Sequence, residues 1–166
     1  MIQSPETNTT ALDALIRILS NNNSTLNDAA LYFIGSNSDI NTGYGWDTNT
    51  SIIDLQNGSM HPINFIVGDL TDFHADNNNF TDVYEYYKLA WTANAIVLSN
   101  DGNLTFHTNY QPWEGETYLN ATQQNLLMQN VDTFQFMAIG SIVKIQVCVA
   151  TDLVEEYSLC KEKTIY

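Results

Sequence analysis

A chain of 166 residues and 18.7 kDa with 44% apolar residues holds enough material for one domain with a real core. Its 19 acidic residues against 5 basic ones give a formal net charge of -14, a surface that repels phosphate backbones, so no direct nucleic-acid binding is expected. The sequence contains no run of apolar residues long enough to span a bilayer, and its first ten residues are too polar for a secretory leader.

In chain order, residues 1–9 are predicted to be a flexible lead-in and residues 10–166 a single soluble domain. Thr9 or Thr10 is placed to cap a helix over residues 10–20, in which Leu12, Leu15, Ile16 and Leu19 recur at spacings of three and four. That stripe is expected to be buried on the sheet, against residues such as Ile145 and Val147, with Asp13 and Arg17 at the surface. Asp13 near the start and Arg17 near the end also suit the helix dipole. The asparagines at 21–23 should end the helix. Residues 29–34 read as a buried strand, and residues 35–47 as a polar loop carrying Tyr44 and Trp46.

A second strand is expected over residues 62–67, with Ile63, Phe65 and Val67 on one face. Residues 68–82 read as an acidic, asparagine-rich loop, and residues 84–98 as one long strand. Asn100-Asp101-Gly102-Asn103 supplies a hairpin turn from which residues 104–107 return. A short helix or helical turn is expected within residues 117–130. From Val131 onward, Phe134, Phe136 and Ala138, then Val143, Ile145, Val147 and Val149, alternate about a turn at Gly140-Ser141. That pattern is a β-hairpin with one buried face. The fold class is therefore α+β: an N-terminal amphipathic helix packed on a mainly antiparallel β-sheet.

Both cysteines lie in this last stretch. Cys148 and Cys160 can form a disulfide that staples the C-terminus to the sheet, or stay a reduced pair; the polar face of Cys148 and the absence of CxxC favour the disulfide. Lys144, Lys161 and Lys163 also gather here, where they can pair with an acidic partner or protect a sheet edge.

Catalytic patterns are sparse, and the chain is not expected to be an enzyme. His61, His74 and His107 lack metal-ligand spacing and read as surface or turn histidines. Glu114 and Glu116 beside Trp113 form a carboxylate pair of the kind glycosidic chemistry uses, but a Pro-Trp loop pinning a strand exit accounts for them as well. Asp69, Asp72, Asp76 and Asp82 offer oxygens to a hard cation without the spacing of an EF-hand, so a solvated acidic loop with no metal or cofactor is expected. Tyr44, Trp46 and Trp113 are candidates for a recognition platform, with core or rim packing as the other account. On that platform rests an alternative function, a secreted or surface module binding a carbohydrate or a protein.

The order of segments resembles a minor pseudopilin or pilin-like protein of the type II secretion and type IV pilus class, in the J-type or PilW-like branch of epsilon-class proteobacteria. The segments are Leu12-Asp13-Ala14-Leu15-Ile16-Arg17-Ile18-Leu19, Ala29-Ala30-Leu31-Tyr32-Phe33-Ile34, Tyr87-Lys88-Leu89-Ala90-Trp91-Thr92-Ala93, Asp101-Gly102-Asn103-Leu104 and Tyr110-Gln111-Pro112-Trp113-Glu114-Gly115-Glu116. Leu127-Met128-Gln129-Asn130-Val131-Asp132-Thr133-Phe134-Gln135-Phe136, Cys148 and Cys160-Lys161-Glu162-Lys163 complete it. The resemblance implies a pilin-like fold and a non-catalytic subunit that assembles with other pseudopilin or pilin subunits, in protein secretion or in competence for DNA uptake. It implies a periplasmic domain anchored in the inner membrane, with a cleaved leader and an apolar half-helix ahead of residues 10–20. It further implies glycosylation at Asn8, Asn49 and Asn103, each within an acidic-x-Asn-x-Ser/Thr pattern.

Overall fold

The structure, a computed structural model, describes residues 1–34, 60–76, 79–81, 83–139, 142–150 and 158–165. Among the described residues it is a mixed α+β fold with one α-helix packed against antiparallel sheet, and the chain divides into two compact units. One comprises Met1–Asn94 with Thr108–Thr122, the other Ala95–His107 with Gln123–Tyr166.

The first unit is built on a five-stranded sheet. Its strands are β1 (Ile2–Gln3), β2 (Ala30–Phe33), β3 (His61–Asn64), β4 (Asp72–Ala75) and β5 (Tyr87–Ala90), in the order β1-β4-β3-β2-β5 with antiparallel pairing throughout. β2 lies inside the sheet, between β3 and β5, and is covered on both faces. Leu31 and Phe33 enter a cluster with Ile16, Leu26, Ala29, Ile63 and Phe73, while Ala30 packs with Met60 and Trp113. The period-two alternation of Ala-Leu-Tyr-Phe feeds both layers. Within the stretch expected as a lead-in, Ile2–Gln3 forms β1 and Ile2 packs on the larger cluster.

Helix α1 (Thr9–Leu19) stands close to its expected span. The cap is Asn8, not Thr9 or Thr10: its side chain accepts the Ala11 N–H at 2.9 Å. Thr9 is buried and its hydroxyl donates instead to the Asp69 carbonyl at 2.7 Å. Asn21 and Asn22 adopt left-handed φ values of 55° and 62°, which asparagine tolerates, and the helix stops there as the sequence implies.

Two expected boundaries shift. β3 ends at Asn64, so Ile63 is buried but Val67 is exposed, and the supposed acidic loop contains β4. The long strand expected over residues 84–98 is broken after β5. There the Thr92 hydroxyl donates to the Ala93 carbonyl at 2.8 Å and accepts the Asn109 N–H at 2.8 Å, diverting the backbone from the ladder.

Beyond the break come β6 (Ala93–Leu98), β7 (Leu104–Tyr110) and β8 (Gln123–Met128), a sheet in the order β6-β7-β8. The turn between β6 and β7 falls where expected, with Gly102 at φ 77° and its N–H on the Ser99 carbonyl at 3.0 Å. No α-helix forms over residues 117–130. A single 3-10 turn at Tyr118–Asn120, closed by a Thr117–Asn120 capping box, leads straight into β8. Leu126, Leu127 and Met128 are consecutive and never define one helical face, so strand pairing prevails.

The second unit carries a further three-stranded antiparallel sheet of β9 (Val131–Ile139), β10 (Ile142–Ala150) and β11 (Ser158–Ile165), in the order β11-β10-β9. The hairpin strands appear as read from the alternation; Gly140 and Ser141 lie outside the described residues. The expected burial of one face does not follow. Phe136 is 72% exposed, the β10 valines are half-buried, and only Val131 and Cys148 of this sheet are buried.

Candidate functional site

The residues expected to pack α1 separate into two groups. Ile16 is buried and Leu12 half-buried, but Leu15 and Leu19 are 50% and 58% exposed. The core partners of Ile16 are Leu26, Leu31, Phe33, Ile63 and Phe73, all of the first unit, whereas Ile145 and Val147 lie on β10 of the second. The face angle explains the correction: a helix of this length contacts the sheet along Leu12-Ile16 and turns Leu15 and Leu19 away.

Asp13 takes part of the expected place of those leucines. It is buried, not superficial, with Oδ1 accepting the Leu26 N–H at 2.9 Å and Oδ2 accepting Arg17 Nε at 2.7 Å. Burial pushes its pKa up, but the Leu26 hydrogen bond, the Arg17 hydrogen bond and the Arg17 charge outweigh it, and the net shift is downward.

The outer face of α1 therefore presents Leu15, Ile18 and Leu19 together, with Ile18 the most exposed at 75%. Ile18 was not among the residues expected to matter; its spacing of three from Leu15 was the available signal. Beside this stripe runs a shallow, mainly apolar groove of about 400 Å³, lined by Thr7, Asn8, Ala11, Leu12, Leu15, Phe73, Tyr87 and Leu89. The resemblance implies an apolar half-helix running straight into residues 10–20, but the chain ahead of α1 folds back instead, and Thr9 at the helix start is buried with its N–H on the Leu70 carbonyl at 3.0 Å. Thr7 N–H returns to the Ser4 carbonyl at 2.9 Å, Ser4 Oγ bonds the Tyr87 hydroxyl at 2.7 Å, and β1 follows on β4.

Of the three recognition candidates only Trp113 is described, and it follows the core-packing account that the sequence also offers. Trp113 is buried against Ala30 and Met60, and its indole Nε1 donates to the Asp28 carbonyl at 3.1 Å. It is a core residue because the Pro-Trp turn after β7 folds it under β2. Tyr44, Trp46 and Asn49 lie outside the described residues.

The polar candidates are engaged within the fold. Glu116 Oε2 accepts the Gln111 N–H at 2.8 Å and closes the turn around Trp113. Burial, and then Asp76, Asp28 and Glu116, push the Glu114 carboxyl upward. His61 is buried between Phe33 and Phe80, with ring centroids 5.5 and 5.9 Å away, and His107 is buried with Thr105 Oγ1 at 2.8 Å. Neither is a surface histidine; His74, half-exposed, pairs with Asp69 at 2.8 Å. Among the described residues no group of three or more His, Cys, Asp or Glu is arranged to hold a metal, and Asp82 is not among them.

Asn8 keeps its side-chain oxygen on the helix cap, whereas Asn103 Nδ2 donates to Asp101 Oδ2 at 2.7 Å. Cys148 and Cys160 face each other directly across β10 and β11 and are joined by a disulfide, with Cα atoms 4.0 Å apart. Lys144 pairs with Glu162 at 3.5 Å on the same face of that sheet.

No family model, curated protein or solved structure matches this chain. Among the described residues no helix is long and apolar enough to cross a membrane.

Proposed function

We propose that this chain is a non-catalytic assembly subunit of the minor-pseudopilin type, built into a secretion pseudopilus or type IV pilus with other pilin-like subunits. The observation that carries this reading is the two-sidedness of α1. One face, centred on Ile16, is packed in the core, and a second apolar stripe of Leu15, Ile18 and Leu19 is left open. A helix that needs only its inner face to stay folded has its outer face available for a neighbouring subunit.

The chain before α1 modifies the reading. It runs against the pilin arrangement, in which one helix continues upstream from an open start, because residues 1–7 form strand and turn and Thr9 at the start of α1 is buried. The disulfide accords with a periplasmic site of action. The carbohydrate-binding alternative loses Trp113 to the core and has no such support.

Complementation tests the proposal. In cells carrying the gene, its deletion should stop secretion or pilus-dependent DNA uptake, and the wild-type gene should restore it. Ile18→Asp, a change at an exposed position that leaves the melting temperature near wild type, should fail to restore it. Full complementation by Ile18→Asp, or a deletion without effect on either process, contradicts the proposal.

A further inference from the structure

Among the described residues the β9–β10–β11 sheet leaves most of its apolar side chains exposed or half-buried. A three-stranded sheet needs an apolar face covered to be stable, yet only Val131 and Cys148 of its described residues are buried. The register sorts its side chains. Phe136 opposes Ile145, Phe134 opposes Val147, Ile145 opposes Lys163, Val147 opposes Lys161 and Val149 opposes Leu159, so all of these share one face. Phe136 and Leu159 are 72% and 66% exposed there. The opposite face carries Gln135, Gln146 and the Lys144–Glu162 pair.

The first of these faces is apolar and edged by two ammonium groups. Among the described residues no carboxylate pairs with Lys161 or Lys163. Charge is also divided unevenly along the chain. Lys144, Lys161 and Lys163 belong to the second unit, whereas Arg17 and Lys88 are the only basic residues of the first, which holds most of the 19 acidic ones. The first unit also exposes apolar and acidic side chains side by side, as in Val83, Tyr84, Glu85 and Tyr86.

We infer that the Phe136–Lys161–Lys163 face docks onto the acidic first unit of a second copy of this chain. Apolar contact supplies the attraction, and the lysines set the register against carboxylates. Because donor and acceptor surfaces differ, the contact is heterologous and repeats from copy to copy. At physiological ionic strength the screening length is about 8 Å, so the net repulsion between two acidic copies fades while the close charge pairs persist. This deepens the assembly-subunit reading, on which it rests, but uses a surface distinct from the Ile18 stripe.

Sedimentation of the full oxidised chain over a rising concentration series tests it. The weight-average mass should climb from 18.7 kDa without stopping at a dimer. Phe136→Asp and Lys161→Glu/Lys163→Glu, both at exposed positions, should weaken association at least tenfold. Met137→Asp, on the opposite face, should associate like wild type, and all variants should keep the disulfide and the wild-type melting temperature. A wild-type chain that stays monomeric, or one that stops at a dimer, overturns the inference. So does association lost in Met137→Asp and kept in Phe136→Asp. Failure here with Ile18→Asp still unable to complement removes this face alone. Association in solution with full complementation by Ile18→Asp removes the pilin-type reading instead.

Discussion

Asp13 ties the middle of α1 to the backbone N–H of Leu26, 2.9 Å away, and so fixes the helix to the turn that leads into the interior strand β2. Leu26 is fully buried, so its N–H has no water to fall back on. Asp13→Ala should destabilise the chain by about 1–3 kcal/mol by leaving that donor unpaired. Chemical denaturation at neutral pH measures it.

The same carboxylate makes stability acid-sensitive. Its folded pKa lies below the ordinary 3.8, so its contribution is complete above that unfolded value and is lost as pH falls through the lowered folded one. The stability gap between wild type and Asp13→Asn should therefore be constant near neutrality and close in acid, below about pH 4. A gap that widens on acidification would reverse the sign of this account.

Neighbouring residues on α1 should behave oppositely. Ile16→Ala removes a fully buried side chain and should cost about 2–5 kcal/mol. Leu15→Ala, at a half-exposed position, should cost under about 1 kcal/mol. Urea melts of the two variants decide which leucine-type face is the packed one.

The disulfide between Cys148 and Cys160 should leave no titratable thiol in the oxidised, unfolded chain. It closes a short loop, with a sequence separation of 12, and by the loop-entropy estimate contributes about 3 kcal/mol. Reduction should lower the melting temperature, and alanine at both positions should do the same without reductant.

Trp113→Phe keeps the aromatic body but removes the donor to the Asp28 carbonyl, and should destabilise the chain by about 1–3 kcal/mol. A neutral effect on stability would return Trp113 to the surface role that the sequence allowed.

Strong local patterns carried the parts of the fold that were legible. The alternation of Val143, Ile145 and Val147 places β10, and the Asn-Asp-Gly-Asn run places the turn before β7. The pairing of Cys148 with Cys160 follows once two strands are set side by side. What was not legible depends on long-range partners. Asp13 looks like an exposed helix residue until Leu26, thirteen positions on, supplies a buried donor. Trp113 stays open between surface and core in the sequence until the turn behind it folds it beneath Ala30. The alternation of Phe134, Phe136 and Ala138 marks one apolar face correctly but carries no sign of whether anything in the same chain covers it.

That the outer stripe of α1 contacts another subunit is the central claim, and crosslinking from Ile18 tests it most directly. A photo-reactive residue at position 18, in cells that assemble the apparatus, should yield an adduct with another pilin-type subunit, lost when the label is moved to exposed Asn21 beyond the helix end. Adducts at both positions alike, or none at position 18 in a chain that still supports secretion or DNA uptake, would contradict it.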